Sequence, residues 1–163
     1  MLNKDEFVKA LTNPGWILYE DFIDKKLISI LKLSLEKSLI LRDELRAKRG
    51  LAKDSSGTVH HLLADDICYI KAIANLEIFD PLISFFFKGK YILNSYGGVI
   101  NKPRFFSYVH KAHRDIRFSG SGNPLMLNVL FMLDDFTESN GATYLLPSSQ
   151  TRTDIPDFSI FTK

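Results

Sequence analysis

The order of two hydrophobic patterns constrains the fold of this chain more than any other feature. Up to about residue 89, apolar residues recur at helical spacing, whereas from Lys90 onward they form short runs rich in strand formers. These runs cover residues 91–93, 99–100, 105–109, 125–133 and 143–146. Turn sequences separate them, and helices do not alternate with them. The pattern predicts one α+β domain, residues 1–163, whose mainly helical part (1–89) packs outside an antiparallel sandwich or barrel formed by residues 90–163.

The longest predicted helix begins after Asp24, a favourable N-cap residue, and continues to about Arg49, where Gly50 ends it. A leucine at every fourth position places one apolar stripe along this helix. The stripe contains Leu27, Leu31, Leu35 and Leu39, with Ile28 and Leu45 at its edges. We expect this face to lie against a sheet, while the charged side chains of the other faces meet solvent.

Shorter elements flank this helix. Asn3 is positioned to cap a first helix, which the Asn-Pro-Gly turn at residues 13–15 ends. Residues 16–19 are apolar and short, which favours a strand, and residues 51–58 read as a polar loop. Residues 62–88 carry several helical pieces that end in three consecutive phenylalanines. Because three adjacent side chains cannot share one helix face, at least one of these rings should contact a second layer.

Composition and charge exclude several classes of function. The chain has 21 basic and 19 acidic residues, and a net charge of +2 is too balanced for a nucleic-acid or anionic-membrane partner. The single cysteine, Cys68, excludes an internal disulfide, and its apolar neighbours predict a buried thiol. Residues 1–7 lack the apolar run of a signal peptide, and no apolar span of about 18 residues follows. We therefore expect a cytoplasmic protein.

The triplet His113-Arg114-Asp115 is the strongest candidate for chemistry. On a β-strand, residues i and i+2 point to the same face, so the imidazole of His113 and the carboxylate of Asp115 can approach one ion together. Such a pair supplies two ligands of a 2-His-1-carboxylate iron site. A His-x-Asp triplet also arises by chance, and the alternative is a histidine and an aspartate joined by a surface hydrogen bond. His60 and His61 are adjacent and therefore diverge, so we interpret them as structural or substrate-facing rather than metal-binding.

The sequence after this triplet carries a resemblance to a known family. Residues 133–150 read LDDFTESNGATYLLPSSQ. They resemble the stretch L-D-D-x-T-x-x-N-G-A-T-x-x-x-P-G-S-H that follows H-x-D in the phytanoyl-CoA dioxygenase-like family of Fe(II)- and 2-oxoglutarate-dependent dioxygenases. Upstream, a long amphipathic helix, the His-His-Leu-Leu stretch at 60–63 and an aromatic-rich helical pair come in the family's order.

The resemblance implies a fold, cofactors and a reaction. The fold would be a double-stranded β-helix (jelly roll, cupin-like) with the N-terminal helices outside the sheet. Fe(II) would be bound by His113, Asp115 and a distal histidine, with 2-oxoglutarate and O2 as co-substrates. The reaction would hydroxylate a small-molecule substrate and release succinate and CO2. The substrate's identity and the oligomeric state are left open.

Further site residues are predicted around this pair. Asn94 and Asn101 fall where the family places polar contacts to 2-oxoglutarate. Asn128 is the only polar residue in the apolar run 125–133, and a buried amide requires partners, either the co-substrate or a backbone carbonyl. Thr143 is a further candidate for binding the co-substrate. Arg117 and the glycine-rich loop after it follow the triplet, and we expect Arg117 to contact substrate.

The chain also departs from the family pattern. Gln150 stands where the family has the histidine of Pro-Gly-Ser-His, which is not a metal ligand there. The family's second metal-binding histidine and an arginine for 2-oxoglutarate lie several tens of residues further on, and no histidine follows His113 here. We expect a fragment that lacks the closing strands and is inactive by itself, because an incomplete barrel would expose strand edges. The alternative is a catalytically inactive jelly-roll binding or scaffold protein that lost the distal ligand.

Overall fold

Four helices and one short β-ladder form most of the regular structure in the described part of the chain. The computed structural model describes residues 3–52, 56–103, 111–116 and 123–152. The helices are α1 (Lys4–Thr12), α2 (Lys25–Lys48), α3 (Ile67–Ala74) and α4 (Asp80–Phe87), and the strands are β1 (Thr58–His60) and β2 (Gly97–Val99). Short 3₁₀ segments occupy Leu62–Ala64, Asn75–Phe79 and Ser149–Thr151.

The two N-terminal helices begin at the predicted caps. The Asn3 side chain accepts a hydrogen bond from the Glu6 backbone N–H at 2.9 Å, and the Glu6 carboxylate accepts one from the Asn3 N–H at 2.9 Å. This reciprocal pair is a capping box, which satisfies two backbone donors at the start of α1. At the start of α2, the Asp24 carboxylate accepts hydrogen bonds from the backbone N–H groups of Lys26 and Leu27. Both predicted helices are therefore confirmed.

The apolar stripe of α2 forms a first hydrophobic cluster with α3 and the ladder. Its buried residues are Leu31, Leu35, Leu39, Val59, Leu62, Cys68, Tyr69 and Ala72. The ladder is antiparallel and pairs Val59 with Gly98. A Cβ on Gly98 would lie 2.6 Å from a methyl of Leu35, so a side chain at this position would require Leu35 to shift. Leu45, predicted at the stripe's edge, is exposed instead.

The single cysteine lies inside this cluster. Cys68 is buried, as predicted, and its backbone N–H donates to the Asp66 carboxylate at 2.8 Å, which caps α3. Burial raises the pKa of the Cys68 thiol, because the thiolate would be poorly solvated there. The residue therefore has the character of a small apolar core side chain rather than of a reactive thiol.

A second hydrophobic cluster joins α1 to α4. Its buried residues are Phe7, Phe79, Leu82 and Ile83. Phe86 and Phe87 pack against this cluster, which confirms that at least one of the three consecutive aromatics contacts a second layer. The third ring, Phe85, stays exposed, and the Lys4 ammonium lies 5.4 Å from its centroid in a cation–π arrangement.

Several segments predicted to be strands are not hydrogen-bonded strands in the described part of the chain. Residues 16–19, 91–93, 125–133 and 143–146 form no hydrogen-bonded strand with other described residues, and the run 105–109 lies outside the described part of the chain. An extended segment becomes a strand only when a neighbouring backbone completes its hydrogen bonds. Conversely, β1 was missed because it spans only three residues at the end of a polar stretch. The double-stranded β-helix itself stays a prediction.

The apolar run 125–133, with the amide of Asn128, was expected to be buried. Only some of its side chains are covered. Leu127 packs on the second cluster, whereas Leu125 and Leu130 are more than half exposed. Without paired neighbours on each side, the segment covers only part of its own apolar surface. Among the described helices, none has the length and apolar character required to cross a lipid bilayer.

Candidate metal centre

His113 and Asp115 point to the same side of the segment 111–116. The Nε2 atom of His113 lies 3.5 Å from Oδ1 of Asp115, and the two side chains are 38% and 49% exposed. The segment is irregular rather than a hydrogen-bonded strand, yet the i, i+2 relationship still brings the imidazole and the carboxylate together. Arg114 lies between them in sequence and is half-buried.

A backbone carbonyl fixes the protonation pattern of the imidazole. Nδ1 of His113 lies 2.7 Å from the carbonyl oxygen of Lys111, and because a carbonyl can only accept, Nδ1 donates. In the neutral ring, Nε2 therefore carries a lone pair, and it faces a carboxylate oxygen. Two acceptors at this distance can be bridged by a proton or by a cation. The first case is the surface ion pair, and the second is a metal centre.

Asn128 holds the other oxygen of the carboxylate. Its Nδ2 donates to Oδ2 of Asp115, so Oδ1 is the oxygen that faces His113. The sequence predicted Asn128 as a co-substrate contact, whereas the structure places its amide on the predicted metal ligand. The three side chains therefore form one connected group, with the imidazole and the amide on either side of the carboxylate.

The donor atoms of this pair fit two adjacent positions around one first-row metal ion. Imidazole nitrogen and carboxylate oxygen lie about 2.0–2.2 Å from such an ion, so two adjacent ligands are about 3 Å apart. The 3.5 Å separation of Nε2 and Oδ1 requires only a small rotation of either side chain to reach that value. Within residues 3–52, 56–103, 111–116 and 123–152, no group of three or more His, Cys, Asp or Glu side chains surrounds a common point. The pair thus offers two donor atoms suited to a metal ion, and a third is not found among these residues.

Comparison with protein families matches residues 32–162 to phytanoyl-CoA dioxygenase (PhyH). The chain belongs to the phytanoyl-CoA dioxygenase family. Members of this family are dioxygenases of the Fe(II)/2-oxoglutarate type, and the matched range includes the His113–Asp115 pair. A comparison with curated proteins and one with solved structures each return no match.

Of the four other residues predicted for the site, the structure describes Asn94, Asn101 and Thr143. Asn101 donates through Nδ2 to the carbonyl of Gly141 at 2.9 Å, which joins the segment after β2 to the turn before Thr143. Asn94 and Thr143 are exposed, and in the described part of the chain neither forms a hydrogen bond with the His113–Asp115 pair. Arg117 lies outside the described residues. The assignment of all four to cofactor or substrate stays a prediction.

In this family member, the side chain of Asn140 forms hydrogen bonds with the loop that follows the Leu-Asp-Asp motif, residues 133–135. Oδ1 of Asn140 accepts from the Thr137 N–H at 2.9 Å, and Nδ2 donates to the Asp135 carbonyl at 2.5 Å. Gly141 follows with a φ of +81°, which agrees with the reversal predicted there. Lys32 on α2 forms an ion pair with Asp134 at 2.5 Å. The sequence did not reveal this tether, because no local pattern links residues 102 positions apart.

The Pro-Ser-Ser-Gln stretch of this family member docks on the end of α1. Ser148 has a φ of +56°, a left-handed conformation at the position where the family stretch has glycine. Its backbone N–H donates to the Pro14 carbonyl at 2.6 Å. Gln150 donates through Nε2 to the carbonyls of Leu11 and Thr12, which are left open at the helix terminus. The glutamine that replaces the family's histidine thus has a structural role, which sequence reasoning missed.

Proposed function

We propose that this family member is an Fe(II)/2-oxoglutarate-dependent dioxygenase that hydroxylates a small-molecule substrate, with succinate and CO2 as co-products. One observation carries the proposal: within the range matched to the family, a histidine nitrogen and a carboxylate oxygen lie 3.5 Å apart on one side of the chain. His113 and Asp115 are the residues that would hold the iron. A ligand pair of this kind, completed by a second histidine, is the donor set of non-haem Fe(II) oxygenases.

The residues of the chain prepare the pair for a cation. The Lys111 carbonyl keeps the proton on Nδ1 of His113, which directs the Nε2 lone pair toward Asp115. Asp115 provides the negative charge that neutralises part of the charge of a divalent ion. When bound, Fe(II) with 2-oxoglutarate supplies the activation of O2 that hydroxylation of an unactivated C–H bond requires. With side chains 38% and 49% exposed, both ligands are accessible from solvent for loading.

The test is an anaerobic titration of the 163-residue chain with Fe(II) and 2-oxoglutarate, followed by visible metal-to-ligand charge-transfer absorption. Two protein ligands predict weak but saturable binding in the wild-type chain. His113→Ala and Asp115→Ala should each abolish it. His60→Gln is the matched control, since it removes another exposed imidazole at the end of β1 and should leave binding unchanged. Equal binding by the wild-type chain and the two alanine variants would refute the assignment.

A second candidate function belongs to a different class, a jelly-roll binding or scaffold protein without catalysis. The observation that favours it is that the described residues contain two predicted metal ligands and no third one beside them. Reading the gene beyond codon 163 separates the two candidates. A strand-like run followed by a histidine and then an arginine favours the oxygenase, and a stop codon favours the binding protein.

A further inference from the structure

We propose that Asn128 is a positioning residue of the metal centre, which acts through Asp115 by holding its carboxylate in the orientation that faces His113. The inference rests on the proposed function. It differs from the prediction made for Asn128 on sequence grounds, which was a contact to the co-substrate.

The contact between the two side chains is direct and directional. Nδ2 of Asn128 donates to Oδ2 of Asp115, while Oδ1 of the same carboxylate lies 3.5 Å from Nε2 of His113. A carboxylate with one oxygen held in this way cannot rotate about its last bond without breaking a hydrogen bond to a charged acceptor. The oxygen that remains is therefore presented to the imidazole. Together with the Lys111 carbonyl on Nδ1, the amide completes a set of partners that orients both ligands.

The amide is fixed because its chain segment is anchored on both sides. Leu127 packs against the cluster between α1 and α4, and Phe131 and Leu133 pack against the cluster of α2, α3 and the ladder. Asn128 lies between these anchors and is the only polar residue in 125–133. The packing of its neighbours therefore determines where the amide is held, and the amide in turn determines how the carboxylate is oriented.

Because the contact is exposed, an effect on metal binding can be distinguished from an effect on folding stability. Both Asn128 and Asp115 are exposed, and an exposed hydrogen bond contributes little to folding because water replaces the lost partner. Partners that orient metal ligands, in contrast, typically change metal affinity by about 10–100-fold when removed. The expected signature of Asn128→Ala is thus weaker metal binding without a change in thermal stability.

The experiment measures Co(II) affinity of the 163-residue chain by visible absorption, since Co(II) is an oxygen-stable probe of such donor sets. Asn128→Ala should weaken binding by about tenfold or more. Asn128→Gln keeps the amide donor and should recover part of the loss. Asn75→Ala is the matched control, because Asn75 is an exposed asparagine that donates to the Lys71 carbonyl on α3, and its removal should leave affinity unchanged.

A metal-free measurement tests the contact itself. The side-chain amide signals of Asn128 in a ¹⁵N–¹H spectrum should move in Asp115→Ala, whereas those of Asn75 should not. Unmoved Asn128 signals would overturn the inference. So would wild-type Co(II) affinity in Asn128→Ala alongside lost affinity in Asp115→Ala, a result that leaves the proposed function intact. Absence of Co(II) binding by the wild-type chain would overturn both together.

Discussion

The hydroxyl of Ser148 donates a hydrogen bond of 2.9 Å to the side-chain oxygen of Asn13, although the two residues are 135 positions apart in the sequence. The same two segments meet again where the Ser148 N–H donates to Pro14 and where Gln150 covers the last carbonyls of α1. In this chain, residues 147–150 stand where the family has Pro-Gly-Ser-His, and they form hydrogen bonds with the C-terminal end of the first helix.

The left-handed backbone at Ser148 gives a first prediction. A φ of +56° is strained for any residue with a Cβ, by about 1–2 kcal/mol, and is free of that strain for glycine. Ser148→Ala and Ser148→Gly both lose the hydrogen bond to Asn13, but only the glycine variant relieves the strain. We expect Ser148→Gly to be about 1 kcal/mol more stable than Ser148→Ala in urea unfolding. Equal stability of the two variants would show that the backbone at this position is not left-handed.

The helical half of this fold could be predicted from the sequence because its signals are local. The capping box at Asn3 and the four-residue spacing of leucines in α2 are set within a few residues of one another, and the structure confirms both. The strands after Lys90 depend on pairing between distant segments, and of these the described residues contain only β2. A run of strand-forming residues indicates a preference, but it does not supply the partner.

In the candidate site, too, contacts between residues close in sequence could be predicted, and contacts between distant segments could not. The approach of His113 and Asp115 follows from their i, i+2 spacing, so it was predictable. The contact from Asn128 to Asp115 depends on how two apolar anchors place the segment 125–133, and no spacing rule yields it. The contact of His113 with the Lys111 carbonyl could not be predicted from the sequence, since every residue has a backbone carbonyl.

Two glycines with nearly the same backbone give a second prediction. Gly57 has a φ of +67° and Gly50 a φ of +69°, so alanine is strained equally at both. A Cβ at Gly57 would overlap the carbonyl oxygen of Ile100, whereas a Cβ at Gly50 would meet nothing within 4 Å. Gly50→Ala should cost about 1 kcal/mol, and Gly57→Ala clearly more, because the ladder of β1 and β2 must shift. Urea unfolding midpoints measure the difference, and equal shifts would contradict the close approach at Ile100.

The ion pair between α2 and the residue two positions before α3 gives a third prediction. One guanidinium nitrogen of Arg42 lies 2.7 and 2.9 Å from the two oxygens of Asp65, whose side chain is only 10% exposed. A double-mutant cycle with Arg42→Ala and Asp65→Ala should give a coupling of about 1–2 kcal/mol, after allowance for partial solvent screening at Arg42.

The ion pair of Lys32 with Asp134 is the matched comparison for that cycle. Its side chains are 42% and 68% exposed, so water and salt screen the charges. The coupling from Lys32→Ala and Asp134→Ala should be smaller than that of Arg42 with Asp65 and should disappear in about 1 M salt, where the Debye length is only about 3 Å. A larger or salt-independent coupling for Lys32 would mean that the Leu-Asp-Asp motif is more firmly held on α2 than its exposure indicates.

The fourth prediction concerns alkaline pH and Tyr96. The ring of Tyr96 packs edge-on against Tyr69, with centroids 5.7 Å apart, and burial raises the pKa of its hydroxyl from 10.0 to about 12. In the unfolded chain the hydroxyl loses its proton near pH 10, while the folded chain keeps it up to about pH 12. The unfolded state then binds fewer protons than the native state, so this contribution to stability is complete below pH 10 and is lost as pH rises toward 12.

Tyr96→Phe keeps the ring in place and removes the titrating group. Its unfolding free energy should therefore fall less steeply than that of the wild-type chain between pH 10 and pH 12. Tyr91→Phe offers a comparison, because the pKa of Tyr91 is raised to about 12 chiefly by its hydrogen bond to Asp80 rather than by burial. Asp80→Asn in an otherwise wild-type chain should move the Tyr91 titration toward its ordinary pKa and leave that of Tyr96 unchanged, as followed by tyrosinate absorbance. Parallel pH dependence of the wild-type chain and Tyr96→Phe would show that the Tyr96 hydroxyl is solvated in the folded protein.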